Sequence, residues 1–407
     1  MPRKRTTNVP TKATPKKKAK SKKKPVTRLE QLTAVAEQMP GWEPAHKVLT
    51  NVLSVPTIFP QFNVATGVNG WPLQRICLIH GPSNMGKTSF LHGLGLSFLQ
   101  AGHFYNLVDA EFTTPEAWLV QLMHQWSKSP AFRALRPKSY ESTVNTVRAA
   151  LELLADSREH GHLPLDTTML IGVDSIRKLN PERLMEMIAK EGAEGKKGSI
   201  DGMSGRAAQY KAALNAQWMD ELTPLLYHAN ASMAFIGRES ANPDKKRPFD
   251  RSWKLTGGTA LYFDSSLVNR IVRAGWVKHG DKIIGERHLV EIHKTKVAGK
   301  EGKIISSFFH TSNGVDREPG FNRARDVLDM AVQAKTVRKK GSKYLWTSTG
   351  EEFPDGEANA VAHLHANLPT LAELERETLE SFVPLEHDAP DDDGEDPMDG
   401  IVKTANG

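Results

Sequence analysis

Residues 75–89 read Arg75-Ile76-Cys77-Leu78-Ile79-His80-Gly81-Pro82-Ser83-Asn84-Met85-Gly86-Lys87-Thr88-Ser89, and the architecture of the chain turns on them. Five successive positions from Ile76 are apolar or weakly polar, which suits a strand buried on both faces. A turn bracketed by Gly81 and Gly86 follows, and then an apolar helical pattern over 89–100. The turn fits G-x-x-x-x-G-K-[ST], a loop whose glycines let consecutive N–H groups converge on phosphate oxygens at the start of a helix. Gly81 through Ser89 are therefore the expected ATP-binding set. Lys87 would reach the β- and γ-phosphates, and the Thr88 hydroxyl would join a Mg²⁺ ion.

Outward from this loop, strands and helices alternate. Apolar runs at 104–108, 168–173 and 232–237 read as further buried strands, with helical patterns at 115–126, 140–155 and 206–228. That alternation implies an α/β core with a mostly parallel sheet. Strands are also expected at 266–273, 286–293 and 304–310, the first two separated by a turn-rich 278–281. Beyond residue 316 a helix at 323–334, a hairpin-like 343–353 and a helix at 371–382 suggest a small C-terminal α/β domain.

The 407 residues carry a formal charge of +7, very unevenly spread. Residues 1–28 hold twelve Lys or Arg and no acid, whereas 386–399 hold eight acids and no base. Neither end has apolar periodicity, so both read as disordered tails. Residues 29, 32, 35 and 36 form an apolar stripe of helical period, suggesting a short helix that needs a partner surface. The expected division is a basic arm over 1–27, an N-terminal helix and linker over 28–62, the core over 63–315, a small domain over 316–383 and an acidic tail over 384–407. Cys77 is the only cysteine, which leaves no disulfide framework and suits a reducing, cytoplasmic compartment. Neither a membrane span nor a secretory signal is read from the apolar pattern.

Two acids end predicted strands beside the loop. Asp174 follows 168–173 and is the second expected Mg²⁺ ligand, with Thr88; an acid after a strand is otherwise a helix cap. Asp109-Ala110-Glu111 follows 104–108, and Glu111 is the candidate base for the attacking water, with a surface cap as the bland alternative.

From about residue 63 to 382 these segments resemble the RecA recombinase family. Asp109-Ala110-Glu111 resembles that family's water-activating DAE segment, and 255–261 (LTGGTAL) resembles the end of its second DNA-binding loop, with Gly257 and Gly258 as the paired glycines. His293-Lys294-Thr295-Lys296 is similar to the strand whose two lysines reach the γ-phosphate held by an adjacent subunit. Gly356-Glu357-Ala358-Asn359-Ala360 is similar to a segment of the family's small C-terminal domain. The resemblance implies a RecA-like ATPase core, DNA-dependent ATP hydrolysis, a helical homo-oligomeric filament on single-stranded DNA, strand exchange with homologous duplex, and loading or mediator proteins as further partners. It implies catalytic roles for Glu111, Lys294 and Lys296.

The chain also departs from the pattern. Where the family places a glutamine linking γ-phosphate to DNA, either Arg238 stands in its place or the register slips by one. An arginine carries fixed charge and cannot accept a hydrogen bond, so a switch built on it works differently. The segment after Glu111 is one residue shorter, which leaves Trp118 as the substitute for the aromatic stacked over adenine. The basic arm is an addition.

Two polar stretches, 191–205 and 238–258, are long for connections in a compact domain. Lys196, Lys197, Arg206, Arg238, Lys245, Lys246, Arg247, Arg251 and Lys254 offer cations to a DNA backbone, and Met203, Phe249 and Trp253 could wedge or stack against bases. Solvated surface loops are the plain alternative, as solvent-facing alternation is for Lys294 and Lys296. For the arm, DNA binding, nuclear-type localisation and simple solubilisation all stand open. A closed hexameric helicase and a DNA-coating or mediator protein with little turnover are the rival functions.

Overall fold

A computed structural model describes residues 28–36, 38–39, 52–186, 200–242, 253–255, 260–279, 281–299, 304–310 and 320–382. Two compact units result, one ending at Asn51 and one beginning at Val52. In the first, helix α1 (Arg28–Ala36) coincides with the expected stripe, and its Leu32 and Val35 are exposed.

The second unit is built on one nine-stranded sheet. Its strands are β3 (Ile76–His80), β4 (Phe104–Asp109), β5 (Phe132–Leu135), β6 (Met169–Asp174), β7 (Ser232–Ile236), β10 (Leu267–His279), β11 (Lys282–Thr295), β12 (Ile304–His310) and β13 (Gly320–Phe321), in the spatial order β13-β12-β11-β10-β3-β7-β6-β4-β5. From β10 to β5 neighbouring strands run parallel; from β10 outward to β13 they run antiparallel. The expected α/β core with a mostly parallel sheet and a smaller C-terminal α/β region is thus what the chain forms. Before the sheet, β1 (Ser54–Val55) pairs with β2 (Trp71–Pro72) around helix α2 (Pro60–Thr66).

The period-two alternation of strands divides the apolar residues between two cores. On β3, Cys77 and Ile79 enter one core while Ile76 and Leu78 enter the other; Ala234 and Ile236 of β7 likewise oppose Met233 and Phe235. The first face is covered by α2, α3 (Lys87–Gln100) and α4 (Glu116–Met123). The second is covered by α5 (Tyr140–Glu159) and α6 (Ile200–Ala229). Segment 52–62, read from composition as a linker, supplies Val55, Ile58, Phe59 and Phe62 to the first core.

Several boundaries differ from the sequence reading for local reasons. The helix expected over 115–126 stops at Met123, because His124 turns to φ 49° and a 3-10 turn follows over His124–Lys128. Helix α5 runs on to Glu159, its start fixed by a capping box between Ser139 and Ser142. Helix α6 begins at Ile200, inside the stretch read as a loop over 191–205. Strands β10 and β11 extend past the sheet as a long ribbon, β10 running on to His279 inside the stretch read as a turn over 278–281.

The C-terminal region has its own apolar core. Helix α8 (Arg323–Ala334) is followed by β14 (Val337–Lys340), β15 (Lys343–Trp346) and β16 (Glu352–Phe353), then α9 (Glu357–Ala366) and α10 (Leu368–Glu380). The hairpin partner of β15 is β14, and 343–353 contains only the second and third strands of the three. The segment beginning Gly356 opens α9, and the last helix starts at Leu368 rather than near 371. Gln61 Nε2 donates to the Asp326 carbonyl at 3.4 Å, and Arg287 pairs with Asp329 at 3.3 Å, tying this region to the larger core.

Candidate nucleotide site

The loop between β3 and α3 is shaped by close approaches. Gly81 has φ 151°, and a Cβ there would lie 2.2 Å from the Ile271 carbonyl oxygen of β10. Gly86 has φ 82°, and its Cβ would meet the His288 ring at 2.5 Å. Only glycine fits either position. His288 Nδ1 lies 2.7 Å from the Met85 carbonyl, and Arg273 Nη2 donates to the Asn84 carbonyl at 2.8 Å. The loop is therefore gripped from the ribbon side by residues about 200 positions downstream.

Lys87 opens α3 and is buried, with its ammonium donating to the Pro82 carbonyl at 2.6 Å. Burial lowers its proton affinity; Asp174 opposes that, and Arg238 adds to it. Thr88 Oγ1 donates to Asp174 Oδ2 at 2.6 Å. Burial pushes the Asp174 carboxyl up to about 6, the Thr88 hydrogen bond works against this, and Glu111 and Asp109 raise it further. The sheet order explains the meeting: β6 lies two strands from β3, so its C-terminal acid projects beside the loop.

Strands β4 and β6 pair in register with Asp109 opposite Asp174, and the N–H groups of Ala110 and Glu111 donate to the Asp174 carbonyl at 2.7 and 3.1 Å. That anchors Glu111, whose carboxylate accepts from Ser175 Oγ at 2.8 Å and from Arg238 Nη2 at 2.7 Å on each oxygen. Arg238 follows β7, the strand between β3 and β6. The sequence reading placed Arg238 in a DNA loop; here its guanidinium holds the candidate base.

A cavity of about 340 Å³ opens beside the loop, lined by residues 84–89, by Trp118 and Gln121 of α4, and by Arg273, Glu286 and His288 of the ribbon. Trp118 stands edge-to-face on His92 with ring centroids 5.4 Å apart. The three ribbon residues were missed by sequence reasoning. Their pairing depends on register shifts within β10 and β11 that leave no mark in the sequence.

The remaining expected residues lie elsewhere or outside the description. Lys294 Nζ donates to the carbonyls of Tyr262 and Phe263, each at 2.7 Å, and Lys296 Nζ to that of Phe263 at 2.9 Å. Both ammonium groups thus sit on the end of helix α7 (Ala260–Asp264). The 238–258 stretch is closed at its base by a ribbon of β8 (Glu239–Ala241) and β9 (Trp253–Leu255). Trp253 packs on His80, His293 and Arg270, and Lys254 lies in β9. Met203 and Arg206 fall within α6. Lys196, Lys197, Lys245, Lys246, Arg247, Phe249, Arg251, Gly257 and Gly258 lie outside the described residues.

No protein-family model matches the chain. It is 27% identical over 352 residues to "Protein RecA" of Xanthomonas axonopodis pv. citri, covering 86% of this chain and 90% of that protein. Against "Protein RecA" of Xylella fastidiosa strain M12 it is 26% identical over 341 residues, 84% of this chain and 87% of that one. The similarity to these two RecA proteins spans most of both chains.

Proposed function

We propose that the chain is a DNA-dependent ATPase that assembles as a filament on single-stranded DNA and pairs it with homologous duplex. The observation that carries the ATPase reading is the Thr88–Asp174 hydrogen bond beside a buried Lys87, with Glu111 anchored to the Asp174 backbone. Among the described residues no cluster of three or more His, Cys, Asp or Glu could hold a metal by itself. Mg²⁺ commonly takes one or two protein oxygens and completes its shell with water and nucleotide phosphates. Thr88 and Asp174 are the oxygens that would hold it, and the ion would neutralise phosphate charge.

Hydrolysis at this site is an in-line displacement. A water oxygen forms a bond to the γ-phosphorus, the bond from that phosphorus to the β,γ-bridging oxygen breaks, and ADP leaves with the electron pair. The water proton passes to Glu111. Lys87 supplies positive charge to the phosphates from this subunit, and Lys294 and Lys296 would supply it from a neighbour. A head-to-tail contact of that kind that does not close yields a helix. The basic arm and the Lys- and Arg-rich stretches then provide backbone contacts that leave base edges available for pairing.

Phosphate release measured with and without single-stranded DNA, beside negative-stain images with a non-hydrolysable ATP analogue, tests this reading. Stimulated release and helical filaments are expected. Closed rings would favour the helicase. Filaments without turnover would favour a coat protein, a reading made specific by the arginine seated on Glu111.

A further inference from the structure

The groups that would meet a triphosphate are each held by a partner from the chain itself. Lys87 donates to the Pro82 carbonyl, Thr88 to Asp174, and Arg238 to both oxygens of Glu111. The last pair stands out, because a fixed cation sits on the carboxylate proposed to take the water proton. An arginine there carries a fixed charge and cannot accept a proton.

The backbone around Arg238 is firmly placed. The side chain of its neighbour Glu239 is only 5% exposed and is held by His80 Nδ1 of β3 at 2.9 Å and by Arg270 Nε of β10 at 2.8 Å. The side chain of Arg238 is about one-third exposed, while Glu111 is more enclosed and further fixed by Ser175. Movement within the pair therefore falls to the arginine.

We propose that Arg238 is a positioning residue that occupies Glu111 when no triphosphate is bound and passes to the γ-phosphate when one is, so that Glu111 meets the attacking water only in the triphosphate state. This rests on the nucleotide-site reading above. Arg238 stands at the exit of β7, between the loop strand β3 and the acid-bearing β6. It also directly precedes β8, the first strand of the ribbon that closes the 238–258 stretch. A change of partner at Arg238 would thus be felt where that stretch leaves the sheet. The charge logic is competitive: Glu111 and the γ-phosphate contend for one guanidinium, and a diphosphate does not enter the contest.

Competition makes a signed prediction for binding alone. If the arginine is sequestered nine-tenths of the time, apparent triphosphate affinity is reduced about tenfold. Glu111→Gln should then tighten binding of a non-hydrolysable ATP analogue by about that factor, since the neutral amide holds the guanidinium less strongly. Arg238→Ala should weaken analogue binding by about tenfold or more, and Arg238→Lys should recover part of it. The Glu111→Gln/Arg238→Ala double variant should behave like Arg238→Ala, and ADP affinity should stay within about twofold throughout.

Titration calorimetry of the full chain with Mg²⁺ and each nucleotide reads all of these. Thermal melts verify folding, and if Arg238→Ala fails to fold, the Glu111→Gln and Arg238→Lys arms carry the same test. Equal effects on analogue and ADP, or Glu111→Gln leaving analogue affinity unchanged, would overturn the proposal. Lys87→Ala separates the two levels. If wild-type protein binds neither nucleotide, or binds them independently of Lys87, the nucleotide-site reading itself fails; Lys87-dependent binding with no Arg238 dependence defeats the arginine alone.

Discussion

His92, on the face of α3 that packs under Trp118, gives a prediction whose size follows from burial. The ring is fully enclosed, with Nδ1 3.0 Å from the Tyr105 hydroxyl, and burial pushes its pKa down to about 3. In the unfolded chain it titrates near 6.5. The folded value is the lower one, so the neutral ring contributes stability that is present above pH 6.5 and lost as pH falls toward 3. Between pH 7.5 and 5.0 the unfolded chain takes up nearly one extra proton at this site while the folded ring stays neutral, a loss of about 2 kcal/mol. His92→Phe keeps an aromatic ring against Trp118 and cannot titrate; the cost of leaving the Tyr105 hydroxyl unpaired is the same at both pH values and cancels in the comparison. Urea unfolding of nucleotide-free protein at the two pH values measures it. Wild type should lose about 2 kcal/mol more than His92→Phe over that interval, on top of what other buried histidines such as His80 and His288 contribute to both. Equal losses in the two proteins would show that His92 is not held neutral by burial.

Gly95→Ala would place a Cβ 2.3 Å from the Tyr105 ring, which is itself stacked on Phe132; urea unfolding should show a loss of about 1–3 kcal/mol, as overpacked cores do, and an unchanged midpoint would contradict the packing. Lys294→Ala/Lys296→Ala should bind ATP nearly normally, because Lys87, Thr88 and Asp174 are untouched, yet lose DNA-stimulated hydrolysis. Mixing this variant with Glu111→Gln should restore turnover at interfaces joining intact lysines to an intact Glu111. If the two co-assemble and stay inactive, the lysines do not act across subunits. Deleting residues 1–27 should weaken duplex binding and flatten its dependence on salt, since fewer counterions are released; an unchanged slope would assign the arm to addressing or solubility.

Much of the core was legible because its signals are local. The run 76–80, the glycine-bracketed turn and Lys87-Thr88 each state their own geometry, and the strands at 104–109, 169–174 and 232–236 announce themselves by short, mostly apolar runs. Asp174 and Glu111 could be picked out for the same reason, since an acid closing such a strand has one end of the sheet to go to. What stayed hidden depends on register and on strand order. No local pattern says that β7 inserts between β3 and β6, and it is that insertion which carries Arg238 from the mouth of a loop onto Glu111.

The ribbon shows the same division. Its alternation was readable, but the shifts between residues 268 and 269 and between 273 and 275 decide that Arg273 and His288 face the phosphate loop and that Lys294 and Lys296 reach the end of α7. The sequence by itself determined the glycine-bracketed turn between strand and helix, the α/β class and the charge of the two ends, because these follow from backbone sterics, apolar periodicity and composition. Only the tertiary structure decided which cation meets which anion, because a side chain's partner is set by strands that pair across more than a hundred residues, and one shifted residue redirects every contact beyond it.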